Sequence, residues 1–182
     1  MRKEDKEEHE AFSKELIEET DRGAALVGAA MIDYYLKEIL QSFMVSNNAA
    51  GKLLDGPTAP LGTLSSRIDA CYALGLVSAH ERSEFHLIRA VRNEFAHRTH
   101  GTTFKDVKIS ELCRKLESDI PGSRESYAGR YRSMFINTTM ILCLGLIGRR
   151  DHATENRRHK PKWSKPLVLS GYDAKDYKKV DH

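Results

Sequence analysis

The chain has 182 residues, of which 40% are hydrophobic and 30% are charged, and its formal net charge is +3. Such a chain can bury one hydrophobic core and has no reason to divide into two domains. The small net charge does not by itself indicate a nucleic-acid-binding protein. The cysteines at 71, 113 and 143 match neither a disulfide framework nor a zinc site, so we expect no metal and no other cofactor.

The N-terminal segment predicts a polar helix over residues 4–19, which are mostly charged and carry a thin apolar stripe at helical spacing. Residues 2–8 are all charged and lack the apolar centre of a secretory signal. The longest apolar stretch, residues 134–147, is shorter than the roughly 20 residues of a membrane span. We therefore expect a cytoplasmic protein without a membrane helix.

The next helix is predicted over residues 21–44, with Thr20 or Asp21 as its cap. Its first half is almost entirely apolar or small, which is typical of a helix at the centre of a bundle. Asp33 lies inside this helix, where an unpaired carboxylate would be costly. We predict Arg67 as its partner.

Several helix breakers follow the second helix. Residues 47–60 contain two glycines and two prolines, which predict a loop. A third helix is expected over residues 62–74, with Gly75 positioned to end it. The fourth helix begins at Ser78, which matches the capping-box pattern with Glu81 three residues later.

Two more helices are predicted, a short one over residues 110–118 and a long apolar one over residues 125–149. No segment alternates apolar and polar residues for long enough to predict a strand. The sequence therefore predicts an all-α protein, with a single-domain helical bundle of about six helices over residues 1–150. Residues 151–182 predict a basic, partly extended C-terminal tail.

The run from Arg92 to His97, near the end of the fourth helix, has chemistry more specific than its packing requires. An arginine and a histidine can hold a phosphate and move a proton without any metal. In such a site Arg92 would hold the scissile phosphate of an RNA, and His97 would act as general acid or base. Asn93 would orient the histidine or the sugar. The candidate catalytic residues are thus Arg92, Asn93 and His97.

The same run also has a structural interpretation. It can be a salt-bridged helix end, with His97 favourably placed against the helix dipole and Arg92 paired to Glu94 or Asp33. On a regular helix Arg92 points about 140° away from His97. A shared site therefore needs either a helix that relaxes after Phe95 or a second copy of the chain across a two-fold axis. On the catalytic interpretation we expect a homodimer.

The tail carries a cluster of cations around one tryptophan. Its candidate nucleic-acid-binding residues are Arg157, Arg158, Lys160, Lys162, Trp163 and Lys165. The cations can contact phosphates while Trp163 stacks on a base, a combination suited to single-stranded nucleic acid. Alternatively, the tail is a soluble, flexible segment whose tryptophan docks on its own or a neighbouring subunit.

Arg92, Asn93 and His97, in a small all-helical chain, match the signature of the HEPN superfamily: an arginine, then a polar residue, then a histidine a few residues on. In this motif the chain resembles that superfamily. HEPN proteins are typically dimeric helical bundles, and many are metal-independent ribonucleases of toxin and defence systems. The resemblance implies a HEPN-like bundle in which these three residues act on RNA.

A second resemblance covers residues 23–147. Its most specific part runs from Pro60-Leu61-Gly62 to Leu74-Gly75-Leu76, with Leu53 to Pro57 before it and the Arg92 to His97 helix after it. In these segments the chain is similar to the mannitol operon repressor family. Members of that family are helical and are described as bacterial regulators of mannitol uptake and metabolism genes. They lack a recognisable helix-turn-helix, which implies a role through protein partners.

The predicted helices themselves contain no surface suited to reading DNA bases. The third helix offers only Arg67, and acidic residues offset the four arginines of the fourth. The leading hypothesis is therefore a bacterial transcriptional regulator that acts through a protein partner in sugar-uptake regulation. The alternative is a HEPN-type, metal-independent endoribonuclease that uses Arg92 and His97.

Overall fold

Residues 3–98, 100–118 and 127–162 are described by the computed structural model, and they form seven α-helices and no strand. The helices are α1 (Lys3–Glu18), α2 (Asp21–Phe43), α3 (Asn48–Leu54), α4 (Leu64–Ala73), α5 (Ala79–His97), α6 (Val107–Arg114) and α7 (Tyr131–Glu155). The prediction of an all-α bundle is confirmed, with one helix more than the expected number.

The additional helix, α3, lies inside the segment that was predicted to be a loop. Asn47 caps it, since its side-chain Oδ1 accepts a hydrogen bond from the backbone N–H of Ala50 at 2.9 Å. At the other end, Leu54 buries its side chain in the core. Gly56 and Pro57 lie beyond the last turn, so they end the helix rather than prevent it.

The central helix of the bundle is α2, which packs along α7 and against α4 and α5. Small residues on α2 allow a close approach to α7. A Cβ atom added at Gly28 would lie 3.1 Å from Cγ2 of Thr139 and 3.3 Å from the ring of Phe135. The small, apolar first half of α2 therefore sets the distance between the two longest helices.

Ser78 and Glu81 form the predicted capping box at the start of α5. The backbone N–H of Glu81 donates to Oγ of Ser78 at 3.1 Å, and the backbone N–H of Ser78 donates to Oε2 of Glu81 at 2.7 Å. The same carboxylate accepts a 2.8 Å hydrogen bond from Nη1 of Arg149 on α7. Burial raises the pKa of Glu81, but the hydrogen bonds from Arg149 and Ser78 outweigh it and hold that pKa below its usual value.

The last helix, α7, is longer than the apolar stretch that predicted it. It has 25 residues, and its most apolar window has a mean hydropathy of 1.2, so by length and composition it is the one described helix that could cross a membrane. Half of that window is buried inside the bundle, however, and core helices of soluble proteins pass the same test. Its buried side chains pack against α1, α2, α5 and α6, which is the arrangement of a core helix.

The predicted division between bundle and tail, at residues 150 and 151, falls inside α7, which ends at Glu155. The division into two regions stays a prediction. The described part of the chain ends at residue 162.

Candidate functional site

A cavity of about 690 Å³ opens between α2, the start of α4 and the middle of α5. It is lined by Leu26, Ala29, Ala30, Asp33, Gly62, Thr63, Leu64, Ser65, Arg89, Arg92 and Asn93. Two of the three candidate catalytic residues, Arg92 and Asn93, therefore face a common space.

Helical periodicity explains which side chains meet there. On α2 the lining residues follow the spacing of one helix face, and the small side chains of Ala29 and Ala30 leave room above the helix. On α5 the lining residues Arg89, Arg92 and Asn93 also share one face. The cavity thus has a small, apolar floor on α2 and a basic, polar wall on α5.

Arg67 and Asp33 form the ion pair predicted from the sequence. Nη1 of Arg67 donates to Oδ2 of Asp33 at 2.6 Å, while its Nε and Nη2 donate to the backbone oxygens of Leu61 and Leu54 at 2.8 and 3.1 Å. The guanidinium is buried, and its bonds hold the segment between α3 and α4 against α2. The other carboxylate oxygen, Oδ1 of Asp33, is also buried but has no hydrogen-bond partner among the described residues.

Arg92 has no acidic partner in the described parts of the chain. Its Nη1 donates instead to Oδ1 of Asn93 at 3.2 Å. The predicted pairing of Arg92 with Glu94 or Asp33 is wrong, because both acids are already engaged. Glu94 contacts Lys108 at 2.6 Å and Arg98 at 3.6 Å, and Asp33 contacts Arg67.

His97 lies apart from this cavity. Helix α5 stays regular through His97, whose side chain is exposed and does not line the cavity. Relaxation of the helix after Phe95, one of the two predicted ways to join Arg92 and His97, is therefore not observed. The structure brings Arg92 and Asn93 together and leaves His97, one helical turn after Asn93, outside the cavity.

Tertiary contacts hold the end of α5 in its regular form. The ring of Phe95 is fully buried and packs against that of Phe104, with ring centroids 5.0 Å apart. Beyond the helix, Nη1 of Arg98 donates to Asp106 at 3.0 Å, and Nη2 of Arg22 donates to the backbone oxygen of Arg98. An end anchored to two other segments does not unwind easily, so Arg92 and His97 can share one phosphate only if a second copy of the chain supplies one of them.

The basic tail is partly used by the fold. Nε of Arg157 donates to the backbone oxygen of Ser42 at 2.8 Å, and Nη2 to that of Gln41 at 3.4 Å. This guanidinium therefore satisfies carbonyl groups that the end of α2 leaves without a partner. The backbone N–H of Arg158 donates to the oxygen of Phe43 at 2.8 Å. Of the predicted nucleic-acid-binding residues, Arg157 thus has a structural role.

Of the remaining residues of that cluster, some lie within the described part of the chain and others lie outside it. The side chains of Arg158, Lys160 and Lys162 are exposed. Trp163 and Lys165 lie outside the described residues, so the predicted stacking of a base on the tryptophan stays a prediction.

Arg89 lines the cavity, but the sequence did not identify it as a site residue. It appears in the sequence only as one of several basic residues on α5, offset by nearby acids. Its spacing of three residues from Arg92 is the signal that would have placed both on one face. Ser65, from the first turn of α4, could not have been found in this way, because its position depends on how α4 crosses α2 and α5.

Among the described residues, the titratable groups of the core show no arrangement for metal binding or thiol chemistry. No group of three or more His, Cys, Asp or Glu side chains in the described residues is placed to hold a metal. Burial raises the pKa of the Cys71 and Cys113 thiols to about 12, and it raises the pKa of Cys143 as well. The three cysteines pack as small apolar side chains.

No protein-family model and no curated protein sequence matches the chain. Among solved structures, it is similar to MtlR in the X-ray structure of the MtlR–HPr complex from Escherichia coli. The likeness has a TM-score of 0.53 and a sequence identity of 25%, and it covers 77% of this chain and 98% of that one. In that structure MtlR, a mannitol operon regulator, is in complex with HPr.

Proposed function

We propose that this chain is a cytoplasmic transcriptional regulator of sugar-uptake genes that acts by binding a protein partner. The likeness to MtlR in its complex with HPr carries this proposal, because it spans nearly the whole of that regulator at 25% identity. The partner proposed here is, by the same likeness, a protein of the HPr type. The mannitol operon is the proposed target, from the resemblance of residues 53–76.

The pattern of paired and unpaired arginines supports action through a protein rather than by direct base reading. Arg67 of α4 is buried against Asp33, so it cannot reach a DNA groove. On α5, Arg82 contacts Asp69 at 2.6 Å, and Arg98 is engaged beyond the helix end. A recognition helix needs several basic and polar side chains that are exposed and uncommitted along one face.

Only Arg89 and Arg92, among the described arginines of α5, have no acidic partner, and both line the cavity. Two arginines at a concave site suit a small anion or a single phosphate better than a DNA duplex, whose affinity depends on many phosphate contacts. The described surface of α4 and α5 is therefore consistent with regulation through a partner.

Calorimetric titration of the purified full chain with HPr from the same cell tests the proposal. We expect saturable one-to-one binding per protomer, and no mobility shift of operator DNA by the chain alone. An unrelated acidic protein of similar size is the control for charge. Absence of heat and of co-elution with HPr over the micromolar range contradicts the proposed partner.

Deletion of the coding sequence tests the regulatory part separately. We expect transcripts of a sugar-uptake operon, the mannitol operon first, to rise in the deletion strain and to return when the chain is supplied. Unchanged transcript levels across sugar-uptake operons contradict a repressor role, whatever the result of the binding experiment.

The second candidate function is a metal-independent endoribonuclease, and one observation favours it. Arg92 and Asn93 are hydrogen bonded to each other and line a cavity, and neither Arg92 nor His97 forms an ion pair with a described residue. Because His97 does not line the cavity, this function requires the homodimer proposed from the motif, with the histidine supplied by the partner copy.

Incubation of the full chain with total RNA in the presence of a chelator separates the two candidates. The enzyme requires cleavage that is lost in both Arg92→Ala and His97→Ala. His80→Ala, which changes another exposed histidine of α5, is the matched control and should cleave like the parent. RNA that stays intact with the parent protein excludes the ribonuclease and leaves the regulator. Light scattering of the same sample measures whether the chain is a dimer.

A further inference from the structure

We propose that the cavity between α2, α4 and α5 binds a small phosphate monoester that also carries a hydroxyl group. This inference goes beyond the proposed function, because it concerns a ligand of this chain alone. The binding of small molecules tests it, and the result does not depend on whether a protein partner is found.

The anionic part of the ligand follows from Arg89 and Arg92. They lie one turn apart on the same face of α5, and both line the cavity without an acidic partner among the described residues. Guanidinium groups donate paired hydrogen bonds that match the oxygens of a phosphate. The acid nearest to them in sequence, Glu94, is held by Lys108 and Arg98, so it does not neutralise the wall of the cavity.

Further donors border the same space. The Asn93 side chain carries an amide group, of which the oxygen accepts from Arg92, so its nitrogen can donate. Ser65 contributes a hydroxyl from the first turn of α4. The positive end of α4 adds a favourable potential for an anion, although the two arginines are the basis of the site.

The hydroxyl part of the ligand follows from Asp33. Asp33 lines the cavity with a side chain that is 31% exposed, and its Oδ1 is buried without a hydrogen-bond partner among the described residues. A buried acceptor without a donor is costly, and a ligand hydroxyl is a donor of the right kind. Oδ2 of the same carboxylate is paired with Arg67 at 2.6 Å, which offsets the repulsion between this carboxylate and a bound phosphate.

The dimensions agree with this class of ligand. The volume of about 690 Å³ lies within the range of small-molecule sites. A dianionic phosphate monoester matches two guanidinium groups, whereas each phosphate of an RNA chain carries a single charge. The floor formed by Ala29 and Ala30 leaves space for the carbon chain between the phosphate and the hydroxyl.

Titration calorimetry of the full chain at constant ionic strength provides the test. The probes are inorganic phosphate, methyl phosphate, glycerol 3-phosphate and glycerol. We expect glycerol 3-phosphate to bind more tightly than methyl phosphate, because only the former offers hydroxyl groups to Asp33. Inorganic phosphate should bind more weakly than the ester, and glycerol should show no binding.

Variants of single arginines locate the site. Arg89→Ala and Arg92→Ala should each weaken the binding of glycerol 3-phosphate by about tenfold or more, the effect of losing one charge-assisted contact. Arg82→Ala is the matched control, because it removes the same charge from the same helix outside the cavity. It should leave the dissociation constant unchanged. Circular dichroism and thermal unfolding confirm that each variant is folded.

Four outcomes overturn the proposal. Binding of no phosphate probe at millimolar concentration excludes the site. If Arg82→Ala weakens binding as much as Arg89→Ala and Arg92→Ala do, the binding reflects the general positive charge of the chain and not this cavity. Inorganic phosphate or methyl phosphate that binds as tightly as glycerol 3-phosphate excludes the hydroxylated ester. Displacement of glycerol 3-phosphate by a short oligoribonucleotide at lower concentration assigns the cavity to RNA instead.

Discussion

Nη1 of Arg67 on α4 donates to Oδ2 of Asp33 on α2 at 2.6 Å, and the same guanidinium also contacts the segment before α4. One buried guanidinium contacts the carboxylate on α2 and two backbone oxygens before α4. The loop that borders the cavity is therefore attached to the central helix by this side chain, together with the contact of Lys37 on α2 with Asp55 at 2.6 Å. The ion pair therefore contributes to the shape of the cavity as well as to the stability of the fold.

Replacement of Arg67 by alanine should lower the free energy of unfolding by about 3 kcal/mol, because it leaves a partly buried carboxylate and two carbonyl groups without donors. Urea unfolding followed by circular dichroism measures the change. Arg82→Ala removes the exposed ion pair with Asp69 and should cost less than about 1 kcal/mol. Equal effects of the two substitutions would contradict the role assigned to Arg67.

Glu81 should make the stability of the bundle depend on pH. Hydrogen bonds hold its pKa in the folded chain below its usual value, so its contribution is present above the unfolded pKa and is lost as the pH falls through the folded one. Between about pH 5 and pH 3, the parent should lose more stability than Glu81→Gln, which has no carboxylate to protonate. Urea unfolding at a series of pH values gives both curves, and parallel curves would exclude the effect.

Two glycines of the packed helices should respond in opposite directions to substitution. Gly28 faces Thr139 and Phe135 at 3.1 and 3.3 Å, so Gly28→Leu should destabilise the chain by about 1–3 kcal/mol through overpacking. Gly148 on α7 has no atom within 4 Å of an added Cβ, and Gly148→Ala should stabilise by up to about 1 kcal/mol through helix propensity. Thermal unfolding measures both. A tolerated leucine at Gly28 would mean that α2 and α7 pack less closely than described.

Arg157 should behave as a structural residue, unlike its basic neighbours. Arg157→Ala removes the donors to the last carbonyl groups of α2 and should cost about 1 kcal/mol of stability. Lys160→Ala changes an exposed cation and should stay within about 0.5 kcal/mol of the parent. Limited proteolysis adds a second readout, since the C-terminal segment should be cut faster in Arg157→Ala. If the parent and Arg157→Ala are cut at equal rates, Arg157 is a solvated cation like the others of the tail and has no structural role.

Local patterns were sufficient for most of the helices. The periodic apolar positions of α2 and α5 and the Ser78 to Glu81 capping box depend on residues a few positions apart, so they can be read from the sequence. The helix α3 could not be read in this way. Its glycine and the breakers after it predict a loop, and only the burial of Leu54 in the core reveals why a short helix forms there.

The sequence by itself determined the all-α class, the capping box of α5 and the pair of Asp33 with Arg67, because a carboxylate within an apolar helix requires a cation. Only the tertiary structure decided which side chains share the cavity. Arg92 shares the cavity with Arg89 and Ser65 rather than with His97, because α2 and α4 cross α5 near Arg89 to Asn93 and leave the end of the helix outside the cavity. Spacing along a helix defines its faces, but the packing of the other helices decides which face becomes a site.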